Sequence, residues 1–440
     1  MGETEKDRLL TADATQTGSQ ASAIDSDRLT TADATTPKGQ VCASASRCEE
    51  YYLLLVLAAT GAAGLAASVH FASFFLSLEL LSVSLYALVA YQRTDPLGIE
   101  AGVKYLILAG ASAAVLLFGL ALVYADLGTL EFVRLTAAAV GHACGPLTLA
   151  GLGLILVGIG FKLSLAPFHL WAPDVYQGAP APITAFVATV SKGAVFALLL
   201  RLFASFDVQE SDALVIVFTL LAMVSMFVGN WLALMQTNVK RLLAYSSIAH
   251  MGYLLVAFLA SGPWAAAAVM FYLAAYFITT LGAFGVVSVL STRDREATAL
   301  EDYQGLAWRR PWVAGVFALM LLSLAGIPLT AGFVGKFYIL AAGIRSTLWL
   351  LVVTLVINSA IGLYYYLRVL ITLFRPPVES APQVHHPSAS PSLDVGRSAL
   401  DVERLNLPLF STAVLLLLAL ALLALGLYPA PAISFIQAIQ

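Results

Sequence analysis

Four ionisable residues stand inside long apolar stretches of this chain: Glu79 in FFLSLELLSVSL, Lys162 in IGFKLSLAPF, Lys192 in ATVSKGAVF and Lys336 in TAGFVGKFYIL. A charge at the centre of a bilayer costs about 2.5–3.5 kcal/mol on insertion scales, so an acid and three amines at that depth require partners or water. Ionisable groups inside a membrane mark ion or proton handling by default. The chemistry open to these four is proton transfer. Desolvation disfavours an ammonium and a nearby carboxylate favours it. Moving Glu79 relative to Lys162 would therefore switch that lysine between holding and releasing a proton.

Other polar residues carry a weaker signal. His250, in SSIAHMGYLL, lies within an apolar run and reads either as a packing residue or as a relay member. Lys240 stands beside Arg241 near a helix start and reads as a loop charge. His169 adjoins a proline-rich break and reads as structural, while His142, His385 and His386 read as solvated loop residues. Glu100 and Lys104 are four apart at a helix start, the spacing of a surface ion pair. The three cysteines, Cys42, Cys48 and Cys144, form no CxxC or Cys/His cluster, so the sequence predicts no metal site. It also has no Gly-rich nucleotide fingerprint after a strand.

The elements that must position these residues are membrane helices. Of 440 residues, 60% are hydrophobic and 11% charged, against about a quarter charged in soluble proteins. Mean hydropathy is +0.87. The net charge of −3 says nothing about nucleic acid, but no basic stripe is present and no nucleic-acid partner is expected. Residues 1–48 are polar, contain the near-repeat DRLLTADAT and DRLTTADAT, and are predicted to be a disordered tail. Beyond them about eleven apolar runs have the length that spans a bilayer. They lie near Tyr51–Val69, Ala72–Tyr91, Gly102–Ala125, Pro146–Trp171, Ile183–Phe206, Ala213–Met235, Leu242–Ala260, Ala265–Leu290, Trp312–Gly343, Leu348–Phe374 and Leu409–Ile439. A short surface helix is expected over Thr129–Val140.

The fourth run is broken around Pro167, and the ninth is interrupted at Gly326-Ile327-Pro328, Gly332 and Gly335. Each is the fourth of a group of five, and each carries one deep lysine. Five crossings is an odd number, so the second group must lie upside down relative to the first. Paired Gly/Pro-interrupted segments in corresponding places point to an ion pathway. The prediction is an all-α polytopic membrane protein with two inverted five-helix repeats, residues 49–206 and 207–374, then a loop over 375–408 and a last membrane helix over 409–440. Loop arginines and lysines concentrate on one side, at Arg93, Lys104, Lys240, Arg241, Arg309, Arg310 and others, which makes that side cytoplasmic. The N-terminal tail then lies inside and the C-terminus outside.

The segments GFKLSLAPFHLWAPDVYQGAPAP, QTNVKRLLAYSSIAHMGYLLVA and MLLSLAGIPLTAGFVGKFYILAAG resemble the proton-translocating membrane family that includes the antiporter-like subunits of respiratory complex I and the Mrp-type cation/proton antiporters. The resemblance runs from about Glu49 to Pro431. The wording is similar to the complex I branch whose second broken helix carries lysine and which stops soon after its last helix. Bacterial members of that branch have three further N-terminal helices, in place of which this chain has its polar tail. The family pattern places a glutamate, a lysine on the broken helix, a lysine on the next helix and a lysine on the second broken helix at Glu79, Lys162, Lys192 and Lys336. It places Lys240 and His250 on a path linking the half-channels.

The resemblance implies a translocase component of NADH:quinone oxidoreductase in a bacterial inner membrane, with its C-terminus periplasmic. Neighbouring antiporter-like subunits would be its partners. No cofactor is expected in this chain; NADH, FMN, iron–sulfur clusters and quinone would belong to partner subunits. An Mrp-type antiporter subunit, or a structural subunit that pumps nothing, are the alternatives.

Overall fold

The computed structural model describes residues 38–134, 145–203, 208, 212–260, 263–292, 295–376 and 409–439. The expected loop over 375–408, most of the tail and the second half of the expected Thr129–Val140 helix lie outside them. Two units divide the chain, Met1–Tyr52 and Leu53–Gln440. In the first, the described residues are helical. The second holds the membrane helices.

In chain order the helices are α1 (Lys38–Ala67), α2 (Phe71–Val89), α3 (Pro96–Leu127), α4 (Pro146–Leu163), α5 (Trp171–Gly178), α6 (Ala181–Leu202) and α7 (Asp212–Leu234). Then follow α8 (Val239–Leu259), α9 (Pro263–Leu290), α10 (Pro311–Ala325), α11 (Ala331–Arg345), α12 (Trp349–Phe374), α13 (Leu409–Leu427) and α14 (Ala430–Ile439). Among the described residues ten helices are long and apolar enough to cross a membrane, and α10 is a shorter apolar one. The protein is an all-α, multi-pass membrane protein, as its composition requires.

Helix α8 is buried at every position except Arg241 and Tyr245. A helix buried on all faces is a core element, and α7, α9 and α11 pack around it. Lateral contacts are close where side chains are small. A Cβ on Gly119 would stand 2.7 Å from the Gly151 carbonyl oxygen, so α3 and α4 meet backbone to backbone.

Both predicted interruptions are present. The first follows Leu163: Ser164 adopts a left-handed φ of 59°, and its N–H and that of Leu165 turn back onto Phe161 and Gly160 carbonyls. Pro167, with no N–H, prevents the helix from resuming at once. The second follows Ala325, where Gly326 (φ 85°) caps α10, and Leu329 (φ 75°) leads into α11. Ser164 and Leu329 bear side chains at positive φ, a conformation that costs on the order of 1–3 kcal/mol and clusters at functional sites.

Four boundaries differ from the sequence prediction. The α1 helix begins at Lys38, within the segment expected to be tail; its Ala-, Arg- and Glu-containing stretch has the composition of a helix former. The expected fourth span ends at Leu163 rather than Trp171, leaving α5 as a separate short helix. The expected last helix over 409–440 is two, because Pro429 and Pro431 stop α13 and open α14. Helix α6, over the expected fifth span, contains a π-helical turn, Val187–Ser191, directly before Lys192.

Candidate functional site

The three deep lysines share one environment. Lys162 donates to Ser82 Oγ on α2 at 2.6 Å, and its ammonium lies 5.4 Å from the Tyr105 ring centre. Lys192 donates to Ser247 Oγ on α8 at 2.6 Å, 5.5 Å from the Tyr176 ring. Lys336 donates to Ser359 Oγ on α12 at 3.0 Å, 5.2 Å from the Tyr253 ring. All three are buried, and none lies within ion-pair distance of a carboxylate among the described residues.

That pattern has a chemical consequence. A serine hydroxyl both donates and accepts. It accepts from an ammonium and donates to a neutral amine, so the Lys–Ser contact survives either protonation state. The aromatic face attracts the cation without a fixed negative charge. A carboxylate partner would instead hold the lysine charged.

Local structure explains the placement of each lysine. Lys162 and Lys336 both lie beside helix ends, where backbone carbonyls lack partners. Lys336 donates to two such carbonyls, Leu324 O (3.0 Å) and Ala325 O (2.9 Å), across the second break. At the first break the corresponding job falls to Trp171, whose indole N–H donates to Phe161 O at 2.9 Å. A cavity of about 280 Å³ beside Lys336, lined by Phe333, Phe337, Ser359 and Leu363, reaches the chain's surface at Phe337. Ser164 Oγ and His169 Nδ1 are buried in the first break without a partner among the described residues.

Glu79 lies one helical turn from Ser82 on the same face of α2. It makes no ion pair with Lys162, and its Oε1 is buried without a hydrogen-bond partner. Ser82 thus holds the amine and lies one turn along α2 from the acid.

His250 joins the lysines across α8. Its Nδ1 is 2.8 Å from Tyr272 OH and its Nε2 3.2 Å from Tyr366 OH. Tyr366 OH also bonds Ser246 Oγ. Next to it, Ser247 receives Tyr276 OH at 2.7 Å as well as Lys192. His250 stacks on Tyr272 and contacts the Tyr253 ring, which carries Lys336. Lys192, His250 and Lys336 are therefore brought together through α8. Glu79 and Lys162 form a second cluster, and no hydrogen bond joins the two among the described residues.

Lys240 is placed differently. It is buried against Glu296 (2.5 Å) and Ala179 O (2.5 Å). The pair Glu100–Lys104 forms at 2.7 Å, as its spacing predicts, and extends through Asp174 to Arg241. The sequence reading missed Ser82, Ser247, Ser359, the tyrosines under each lysine, and Glu296. The only available signal was helical spacing: Ser82 follows Glu79 by three, and Ser247 precedes His250 by three.

A family model described as NADH:quinone oxidoreductase/Mrp antiporter, transmembrane region, matches residues 68–362, a stretch holding Glu79, the three deep lysines, their serine partners, Lys240 and His250. The chain belongs to this family. Among curated relatives, NADH-quinone oxidoreductase subunit N of Methylococcus capsulatus is 50% identical over 387 residues, covering 87% of this chain and 74% of that protein. The same-named subunit of Ectopseudomonas mendocina is 48% identical over 391 residues, covering 88% and 76%. Among solved structures, a chain of respiratory complex I from Thermus thermophilus aligns at a TM-score of 0.72 and 38% identity, over 88% of this chain and 79% of that one. The Mrp complex from Dietzia aligns at 0.75 but 23% identity, over 87% and 76%, and shares the fold. The family's antiporter-like fold is thus the frame that carries the three lysine–serine contacts.

Proposed function

We propose that this chain is a proton-translocating membrane subunit of an NADH:quinone oxidoreductase, the counterpart of the subunit N proteins it resembles. Quinone reduction by partner subunits drives proton movement through Glu79, Lys162, Lys192, His250 and Lys336. The chain has no redox role; NADH, FMN, iron–sulfur clusters and quinone belong to those partners. Residues 49–206 and 207–374 act as inverted half-channels. The N-terminal tail faces the cytoplasm of a bacterium and the C-terminus the periplasm. Neighbouring antiporter-like subunits flank it in the membrane.

The observation that carries this reading is the threefold repetition of a buried lysine held by a serine hydroxyl over a tyrosine ring, with no carboxylate in ion-pair reach among the described residues. A structural charge needs a countercharge; a proton carrier needs a partner indifferent to its charge. The test uses inverted membrane vesicles holding the whole complex. Lys162→Met, Lys192→Met and Lys336→Met chains are expected to co-migrate with NADH-oxidising activity on native gels while NADH-driven acidification collapses. Unchanged acidification in all three assembled variants would refute the proposal. Sodium export without NADH would assign the chain to the Mrp-type alternative.

A further inference from the structure

The Lys240–Glu296 pair is the one buried lysine contact that does not fit the pattern above, and it has a position the relay leaves unused. Glu296 lines a polar cavity of about 630 Å³ together with Gln92, Asp95, Gln177, Arg295 and Thr298. Its side chain is 28% exposed, whereas that of Lys240 behind it is 0% exposed. The carboxylate thus meets water on one side and a fully buried amine on the other. Its second oxygen accepts from Ala181 N at 2.8 Å, and Lys240 donates to Ala179 O. The pair is therefore clamped at the junction of α5 and α6, the helix that carries Lys192.

Lys240 and Ser247 lie seven residues apart on α8, which is two turns on one face, or about 10.5 Å of rise. The turn between them holds Ala244, the smallest chiral side chain, and it is buried. Ser247 is the hydroxyl that holds Lys192. Cavity, Glu296, Lys240, Ser247 and Lys192 thus follow in spatial order from solvent to the membrane interior.

We infer that Glu296 is the acid that loads this relay: it collects protons from water in the polar cavity and passes them to Lys240. The step balances. A hydronium ion in the cavity gives its proton to Glu296 Oε2 and leaves as water, so the carboxylate no longer holds Lys240 charged. Lys240 then releases an N–H proton inward, toward Ser247, along intervening water, and becomes a neutral amine. The Glu296 O–H bond breaks as an N–H bond forms on Lys240, and the pair returns to carboxylate and ammonium. The groups facing Glu296 are Lys240 from α8, Asp95 from the start of α3, Arg295 from its own loop, held at 2.6 Å by Asp302, and Tyr303. Asp95 acts on Lys240 electrostatically without an ion pair, and Glu296 is the carboxylate in hydrogen-bond contact with it among the described residues.

The inference rests on the relay proposed above, and its test separates the two. Complex-bearing vesicles are compared with Glu296→Gln, Glu296→Asp, Glu296→His and Lys192→Met chains, scoring acidification per NADH oxidised across pH. Glu296→Gln is expected to lose at least fivefold, and Glu296→Asp to retain half or more. Glu296→His is expected to pump with a pH profile that falls as pH rises through about 6.5, the ordinary imidazole value. A purely structural clamp predicts no such shifted profile, so the His and Asp variants decide the matter even if the Gln chain does not assemble. If Glu296→Gln assembles and pumps within twofold of wild type, or if the His profile matches wild type, the inference is overturned. In that event, loss of pumping in Lys192→Met leaves the relay standing; its retention removes the relay as well.

Discussion

Ser247→Ala isolates the hydroxyl idea from the charge itself. Ser247 Oγ receives Lys192 Nζ at 2.6 Å and Tyr276 OH at 2.7 Å, with Tyr176 OH at 3.4 Å. Removing it takes away the hydrogen-bond acceptor of the buried Lys192 amine, whereas Tyr276 keeps the Thr280 hydroxyl. A hydrogen bond to a charged group is worth about 1.5–3 kcal/mol. If proton passage at Lys192 uses that bond, its loss raises the barrier by a similar amount. At 1.36 kcal/mol per factor of ten, acidification per NADH should fall about ten- to a hundredfold. The assay is dye-reported acidification of inverted vesicles, with NADH oxidation measured in parallel and assembly checked on native gels. A double variant gives the sharper result. Because Ser247 and Lys192 serve one step, Ser247→Ala with Lys192→Met should be no worse than the worse single change. Full pumping by Ser247→Ala, or losses that multiply in the double variant, would refute the idea that the hydroxyl carries the proton.

Other perturbations follow from the same geometry. Ser359→Ala should cut acidification at least tenfold, since the two carbonyl partners of Lys336 hold the side chain but cannot pass a proton, and Lys336→Met should abolish it. Gly332→Ala would put a Cβ 1.9 Å from Ser323 O; overpacking costs about 1–3 kcal/mol, so less of the chain should reach the assembled complex and its Tm should fall. Asp174 lies outside the spans: burial raises its pKa, but hydrogen bonds from Lys104 and Arg241 bring it below the ordinary value of 3.8. A depressed carboxyl stabilises above that ordinary value and loses its contribution as pH falls through the folded one. Asp174→Asn should thus lower Tm slightly at neutral pH, with a stability cost of no more than about 1 kcal/mol for so exposed a pair. The difference from wild type should shrink as pH falls below 3.8 and vanish only below the lower folded value.

The charged members of the site were legible because a charge in an apolar run is rare and costly. The two breaks were legible because Pro167, Gly326 and Pro328 remove the donors or supply the dihedrals that end a helix. The serines were not. A membrane helix tolerates serine by bonding it to the carbonyl four residues back, as Ser84 does to Leu80 and Ser68 to Gly64. Ser82 makes that same bond to Leu78 and also holds Lys162, so nothing local marks it out. Glu296 was illegible for another reason: its partner Lys240 is 56 residues away, and only the α8–α9 turn brings them together. The π-helical turn before Lys192 leaves no periodic trace, because one extra residue per turn does not show where polar Thr189 and Ser191 are buried like their apolar neighbours. Hydropathy likewise ran α13 and α14 together, since it scores burial and not backbone continuity.

The two breaks satisfy their free backbone groups by different means, and the difference bears on how the halves would behave. A buried carbonyl without a donor costs about 1–3 kcal/mol. In the first break an indole, which never ionises at working pH, caps Phe161 O, and Ser225 of α7 accepts from Ala166 N at 2.9 Å. Lys162 is therefore free to swing without exposing the backbone. In the second break the donor to Leu324 O and Ala325 O is Lys336 itself. Loss of its proton leaves two N–H bonds, enough for both carbonyls, with the lone pair turned to the Ser359 hydroxyl. Movement of the side chain away from the break, by contrast, orphans both carbonyls at once. Lys336 can change charge in place but is drawn back when displaced, so its proton must leave through a group already in contact. Among the described residues Ser359 is the one hydrogen-bond partner of Lys336 that both donates and accepts, so the proposed relay would run past Lys336 on the α12 face rather than on the backbone side of the break.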